Sequence, residues 1–389
     1  MYIEREIIKK FKKVIKAYPV VAIVGPRQAG KTTFLKECSK GLNSSYLVFD
    51  DPDIRDIFEE DIKKFENQYL EGHELSVLDE VQYCRDSGRK LKYLADKGRK
   101  LWITSSSEII LSKEVLSYLV GRVSILKLYP FSITEYLSLK GQKELTAQIL
   151  TRHVEEHIQY GGYPKVAITE DIELKKIILK DLYDTMVLKD IARTFSIDDI
   201  RSLEDFVKYL ALNIGCLLSY DTISNDLKLS FQTVKKYMDA MEKSYLMVKV
   251  PPYYTNKTKE ITKQPRVYFL DTGLRNVIIK QFNVEPDGKL FENYVFSELT
   301  KLGFTPKYWR TKSKAEVDFI IQDGKDIIPI ETKLNADKAE KSMQSFIEAY
   351  KPKKALIVTL KGKMSKMKVN KCDVHFTNVL NMRNLLSEF

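Results

Sequence analysis

Cysteine is scarce in this chain. Cys38, Cys84, Cys216 and Cys372 are the only four in 389 residues, and no two stand at the spacing of a disulfide framework or a metal knuckle. That pattern excludes a stapled secreted scaffold and fits buried thiols in a reducing compartment, so the expected location is the cytoplasm. Long apolar runs are also missing, and the opening MYIEREIIKKFKK has no leader-type apolar stretch, so no membrane partner is expected. Acidic residues are the minority: 53 Asp and Glu face 64 Lys and Arg, giving a net charge of +11. Most of that excess lies late, with 25 Lys and Arg against 16 Asp and Glu from Pro251 to Phe389. The run after Leu360 carries Lys361, Lys363, Lys366, Lys368 and Lys371, and two readings stand for it: a solvated basic face, or contact with a polyanion.

Against this background one segment is highly specific. Residues 20–33 read VVAIVGPRQAGKTT, an apolar strand running into Gly25-x-x-x-x-Gly30-Lys31-Thr32, with helix-forming residues after Thr33. Gly25, Pro26, Arg27, Gln28, Ala29 and Gly30 form a loop whose backbone amides can close around phosphate oxygens. Lys31 then reaches the β- and γ-phosphates, and the Thr32 hydroxyl belongs on Mg²⁺. The expected cofactors are therefore ATP or ADP with Mg²⁺. Tyr46–Asp50, Leu75–Glu80, Lys100–Thr104 and Ser124–Leu128 read as further strands. Asp79 and Glu80 end the second of these, Asp79 suited to hold Mg²⁺ through its water shell and Glu80 to orient an attacking water. The hydroxyls of Ser105, Ser106 and Ser107 follow Thr104, fit either for the γ-phosphate or for a helix N-cap.

The middle of the chain is helical. His153-x-x-Glu156-His157 has an inverted zinc-peptidase spacing, but its polar surroundings and lack of a third ligand favour packing. Residues 174–193 read as one helix. Residues 223–227, a break at Lys228, and residues 232–246 have helix-turn-helix spacing; Met247–Val250 and Arg266–Leu270 then form a wing hairpin around a basic loop. Such a segment either binds DNA or joins proteins.

A second group of carboxylates lies further on. Glu292 sits in the helix-forming stretch LFENYVFSELT, Asp318 ends AEVD, and Ile327–Ile330 runs into Glu331-Thr332-Lys333. Period-two geometry puts Glu331 and Lys333 on one side of a strand and Thr332 on the other, with Asp318 facing Glu331 across the Gln322–Lys325 turn. Asp318 and Glu331, with a backbone carbonyl, can hold Mg²⁺, while Glu292 completes the metal shell and Lys333 polarises a phosphate or places a water. Lys341, Ser342 and Gln344 are placed to touch a nucleic-acid backbone. This order resembles the PD-(D/E)xK nuclease core, although Glu-x-Lys alone is also an ordinary cross-strand pair.

Taken together, VVAIVGPRQAGKTT, SVLDEVQ, ITSSSEIILSKEV, LVGRVSILKLYPFSITEYL, YGGYPKV, LYDTMVLKDI, VYFLDTGLRN, KLFENYVFSEL, AEVDFI and IPIETK resemble prokaryotic AAA+/STAND-type ATPases with a restriction-endonuclease-like C-terminal domain. The resemblance implies an α/β fold with a P-loop core over residues 1–145, a helical lid over 146–204, a winged-helix segment over 205–256 and a nuclease-like α/β domain over 257–389. It implies that Arg122 is an arginine finger acting in a homo-oligomer, the competing reading being a surface ion pair. It also implies that Pro164, in Gly161-Gly162-Tyr163-Pro164, packs near the nucleotide base, unless the segment is a plain turn. One departure is Ser105, where relatives commonly carry glycine. The expected activity is ATP hydrolysis coupled to a Mg²⁺-dependent nuclease-like domain on nucleic acid, DNA in the first instance; the alternative is an ATP-dependent switch or DNA-binding adaptor with a silent nuclease fold.

Overall fold

A computed structural model of the chain describes residues 2–81, 84–106, 117–141, 145–282, 285–324 and 326–387. Ser107 and Lys325 lie outside the described residues. The chain divides into two compact units, Met1–Phe131 and Ser132–Phe389.

The first unit is built on a five-stranded sheet of β1 (Val20–Val24), β2 (Ser44–Val48), β3 (Leu75–Asp79), β4 (Lys100–Ser105) and β5 (Val123–Lys127). The strand order is β2-β3-β4-β1-β5, and every pairing is parallel. All residues of β1 and β3 are buried, as a parallel sheet covered on both faces requires. Phe11, Phe34 and Trp102 meet edge-on in one core cluster, and Phe49, Phe58 and Phe65 form a separate aromatic cluster. Parallel strands deliver their C-terminal ends to one edge of the sheet, which is where the loop after β1, Asp79 and Glu80 at the end of β3 and Ser106 after β4 converge. Strand boundaries differ from expectation: β2 spans Ser44–Val48 rather than Tyr46–Asp50, β4 runs on to Ser105, β5 spans Val123–Lys127 rather than Ser124–Leu128, and β3 stops at Asp79 because Glu80 takes a left-handed backbone, φ 60°.

The second unit opens with helix Ile133–Lys140, whose Ser132 and Glu135 form a reciprocal capping box. Helices Ala147–Tyr160, Pro164–Ile168, Ile172–Thr185, Ile200–Leu212, Tyr220–Leu227 and Phe231–Lys243 follow, with a wider π-type turn at Met186–Ala192. Leu182, Phe206, Leu210, Met238, Met241 and Phe269 share one core among them. Strands β6 (Met247–Val250) and β7 (Arg266–Phe269) pair antiparallel, and the loop between them carries the short helix Lys257–Thr262. Helix Gly288–Lys301 then leads into a mixed six-stranded sheet of β8 (Lys307–Arg310), β9 (Glu316–Asp323), β10 (Asp326–Lys333), β11 (Lys354–Thr359), β12 (Ser365–Val369) and β13 (Cys372–Thr377). Its order is β12-β13-β11-β10-β9-β8, with β10, β11 and β13 parallel.

The segments YGGYPKV and VYFLDTGLRN, far apart in sequence, pack on each other. Gly161 has φ 73°, and a Cβ there would lie 2.0 Å from Asp271 Oδ1. The Gly162 amide donates to Asp271 Oδ2 at 2.8 Å, and Asn276 donates to the Ile158 and Gln159 carbonyls. Pro164 follows as the first residue of its helix, where a missing N–H costs nothing. The lysine-rich run forms the edge strand β12: Lys366 and Lys368 are exposed and Lys366 pairs with Asp373. Charged residues of this kind protect a sheet edge from further pairing. Among the described residues, no helix is long and apolar enough to cross a membrane.

Glu298 is the most buried carboxylate of this unit. Burial alone would raise its pKa, but Lys301 at 3.0 Å and Arg383 at 2.8 Å outweigh it and hold the group at about 2. The folded value lies below the ordinary 4.5, so the stabilisation is complete above that pH and is lost as pH falls toward 2. Urea midpoints of the full chain measured between pH 6 and pH 2 will fall with acid, and Glu298→Gln will flatten that fall. Arg383→Met, which strands a buried charge, is expected to cost about 3–5 kcal/mol at neutral pH.

Candidate functional site

In the first unit the loop after β1 is braced from three sides. Gly25 has φ 153°, and a Cβ there would stand 2.1 Å from the Leu128 carbonyl oxygen, so only glycine allows the loop to approach the end of β5. Lys31 is buried and its Nζ donates to the Gly25 and Pro26 carbonyls, both at 3.0 Å. Arg5, from the segment before the first helix, donates through Nη1 to the Ala29 carbonyl at 2.9 Å and through Nη2 to the Tyr129 carbonyl at 2.5 Å. Its guanidinium lies over the Phe131 ring at 4.9 Å. Gln28 takes φ 59°, and Gly30 takes φ 96° just before the helix Lys31–Ser39. Lys31, Thr32 and Thr33 therefore open that helix, whose N-terminus carries the positive end of the helix dipole, an arrangement suited to anionic oxygens.

Asp79 is the centre of the site. Its carboxylate accepts from Thr32 Oγ1 at 2.9 Å, from the Tyr46 hydroxyl at 2.7 Å and from Thr104 Oγ1 at 2.5 Å. Thr104 Oγ1 also accepts from the Glu80 amide at 3.0 Å. Burial, reinforced by the bond to Asp79, pushes the Tyr46 hydroxyl far above its ordinary pKa, so it stays a donor. Glu80 Oε2 accepts from the Ser106 amide at 3.3 Å and from its hydroxyl at 3.0 Å. The expected pair of carboxylates is thus brought beside Thr32 and Lys31. Arg122 is not: it precedes β5, at the end of the sheet opposite the loop, where its carbonyl accepts from the Val20 amide. Its guanidinium pairs with Asp96 at 2.5 Å and is partly exposed. Within one chain the surface ion pair is the arrangement found.

Arg5 and Tyr46 escape sequence reasoning. Arg5 stands alone in an amphipathic stretch and Tyr46 reads as an ordinary strand aromatic; no spacing ties either to the loop or to Asp79. Ser106 is one of three candidate hydroxyls after β4, and its partner is the glutamate.

The second unit gathers the other carboxylates. Ile330 pairs with Phe319 across the β9–β10 hairpin, so Asp318 falls next to Glu331 in register. Burial and then the Asp318 charge raise Glu331 to about 8, and burial also raises Asp318. Burial and the Asp318 charge raise Glu292 to about 7. Lys333 pairs with Glu331 at 3.2 Å and with Glu340 at 2.9 Å. Thr332 does not simply face away. The antiparallel ladder ends at Ile330–Phe319, and beyond it Asp318 Oδ2 accepts from both the Thr332 amide at 2.8 Å and its hydroxyl at 2.7 Å. Glu292 is engaged rather than open: Oε1 accepts from the Tyr268 hydroxyl at 2.5 Å and from Arg266 at 3.2 Å, and Oε2 from Lys289 at 2.7 Å. Gln344 donates to the Ala339 carbonyl, and Lys341 opens the helix Lys341–Tyr350. Among the described residues, no group of three or more His, Cys, Asp or Glu has metal-binding geometry.

The histidine pair is packing. His157 stacks on Tyr136 at 4.7 Å and meets the Tyr294 hydroxyl through Nδ1 at 2.8 Å, while Glu156 pairs with Lys175 at 2.6 Å and Lys140 at 3.2 Å.

The first unit thus has a parallel sheet with a phosphate loop after its first strand and an Asp-Glu end two strands away, the layout of a P-loop nucleotide-binding fold. Residues 17–137 match the family model described as AAA domain. Residues 151–285 and 287–379 match two models described as domains of unknown function, DUF8612 and DUF4143. An uncharacterized protein of Haemophilus influenzae is 27% identical over 332 residues, 80% of this chain and 82% of that protein. One from Methanocaldococcus jannaschii is 27% identical over 383 residues, 92% of this chain and 86% of that protein. Among solved structures, the Walker-type ATPase of Pyrococcus abyssi is similar with TM-score 0.50 and 14% identity, over 71% of this chain and 96% of that one. A likeness at that identity carries the fold alone.

Tyr46→Phe removes one of three hydroxyl donors on Asp79. The Mg²⁺ concentration for half-maximal ATP hydrolysis is expected to rise about tenfold. Binding of a fluorescent ATP analogue without Mg²⁺ will stay at the wild-type level.

Proposed function

We propose that the first unit binds and hydrolyses ATP, and that its nucleotide state controls a Mg²⁺-dependent, nuclease-like site in the second unit that acts on nucleic acid. The observation that carries the ATPase reading is the Asp79 carboxylate held 2.9 Å from the Thr32 hydroxyl, beside buried Lys31. A hydroxyl and a carboxylate oxygen so placed suit the all-oxygen demand of Mg²⁺, so Thr32 and Asp79 would hold the ion. When bound, Mg²⁺ neutralises charge on the phosphates. Lys31 leaves its loop carbonyls for the phosphate oxygens, and Glu80, steadied by Ser106, orients the attacking water. Arg122, unable to reach its own loop, acts on the nucleotide of a neighbouring copy in a homo-oligomer. Pro164 and residues 146–204 serve as a lid, and residues 205–256 as a winged-helix element, that respond differently to ATP and ADP.

The nuclease-like reading rests on Glu331. Its Oε2 is buried with no hydrogen-bond partner among the described residues, next to the raised carboxyl of Asp318. Burying such an oxygen unpaired is costly, and a divalent cation shared with Asp318 would remove that cost. The donor set fits Mg²⁺ or Mn²⁺, which would supply charge neutralisation at a phosphodiester. Lys333 would then face the phosphate and Thr332 would keep Asp318 in place. A second reading, an ATP-dependent switch or adaptor with a silent nuclease fold, is favoured by one observation: Glu292 spends both oxygens on Arg266, Tyr268 and Lys289.

Nicking of supercoiled plasmid in Mg²⁺ or Mn²⁺ separates the two. The nuclease reading expects nicking by wild type, none by Asp318→Ala, and a changed ATP response in Lys31→Ala. Intact ATPase activity with no nicking under any condition selects the switch.

A further inference from the structure

The helix-turn-helix segment and the loop between β6 and β7 enclose an open groove of about 640 Å³. Its walls are Tyr220 and Phe231 on the helical side, Ile261 and Lys263 on the loop, and Pro251 and Pro265 at the strand ends. Two of these apolar side chains are turned outward. Phe231, the first residue of the second helix, is 45% exposed, and Ile261 is 85% exposed. Neither serves a core, because the core of this segment is already filled by Val234, Met238, Met241 and Phe269. The Tyr220 and Phe231 rings lie 5.8 Å apart and are tilted at 55°, so the groove presents aromatic faces rather than a flat greasy patch.

Its rim is basic. Lys257, Lys259 and Lys263 are exposed on one short stretch, and Lys259 and Lys263 have no ion pair among the described residues. The carboxylates in the groove are mostly neutralised: Glu242 pairs with Lys249 at 3.0 Å, and Glu260 with Lys257 at 3.1 Å and Lys307 at 2.6 Å. Asp221 is the remaining carboxylate on the wall.

We infer that this groove takes a single strand of nucleic acid, its bases lying against Phe231, Tyr220 and Ile261 and its phosphates against Lys259 and Lys263. A duplex hides its base faces in the stack and offers side chains only edges and phosphates. Unstacked bases match aromatic and apolar walls, and the flanking lysines match the backbone. The inference rests on the nucleic-acid part of the function proposed above and gives it a substrate form. It also links two sites within the second unit. Gln264 and Pro265 line the groove, and the next residue, Arg266, bonds Glu292 in the carboxylate centre.

Anisotropy of a labelled oligothymidylate, and of a duplex of the same length, titrated with the full chain tests this. The expected result is preference for the single strand, with Phe231→Ser and Ile261→Ser each weakening it about tenfold at unchanged salt dependence. Lys259→Ala with Lys263→Ala should lower the slope of log affinity against log salt by about 1.4, roughly 0.7 for each phosphate no longer neutralised. Wild-type circular dichroism and urea midpoints in the variants will show that they are folded. Wild-type binding by both Phe231→Ser and Ile261→Ser, or a wild-type preference for duplex, overturns the groove while leaving nucleic acid as partner. A wild-type chain that binds neither form overturns the groove and the nucleic-acid partner together.

Discussion

Asp79 is where the first unit is tied together. Its carboxylate receives hydroxyls from Thr32 on the helix after the phosphate loop, Tyr46 on β2 and Thr104 on β4. Four separately folded elements therefore share one buried anion. A buried carboxylate is tolerable only when its oxygens are satisfied, and three hydroxyl donors achieve that here. Lys31 and Glu80 stand next in sequence to Thr32 and Asp79. The parallel sheet makes this sharing possible, since it brings the ends of β1, β3 and β4 to the same edge.

The second unit solves a different electrostatic problem. Burial and the Asp318 charge raise both Glu292 and Glu331, and Arg266, Lys289 and Lys333 stand among them. Arg266 and Tyr268 come from β7, the second strand of the hairpin that follows the helix-turn-helix segment. The same hairpin thus borders both the groove and the carboxylates. That continuity is the physical basis for treating the two as parts of one device.

Much of this is legible in the sequence. The glycine spacing of Gly25 and Gly30 fixes the loop because backbone conformation and close approach to Leu128 tolerate nothing else at Gly25. Alternation along β10 places Glu331 beside Lys333, and antiparallel pairing places Asp318 opposite Glu331. What stays hidden depends on contacts between residues distant in sequence. Arg5 reaches Ala29 and Tyr129, Asp271 fastens Gly162, and Tyr268 captures Glu292, none of which a periodic pattern can encode. Thr332 departs from its expected outward direction because alternation describes a paired strand, and the ladder ends one residue before Asp318 turns to it. Arg122 reads as a finger from its motif, whereas its place at the far end of the sheet limits any such role to another copy.

The central claim, that Asp79 and Glu80 organise hydrolysis around the phosphate loop, is tested most directly by ATP binding and phosphate release from wild type, Lys31→Ala and Glu80→Gln. The account predicts hydrolysis by wild type, weakened nucleotide binding by Lys31→Ala, and Mg²⁺-ATP binding with at least about a hundredfold slower release of phosphate by Glu80→Gln. Wild-type turnover by Glu80→Gln would contradict it.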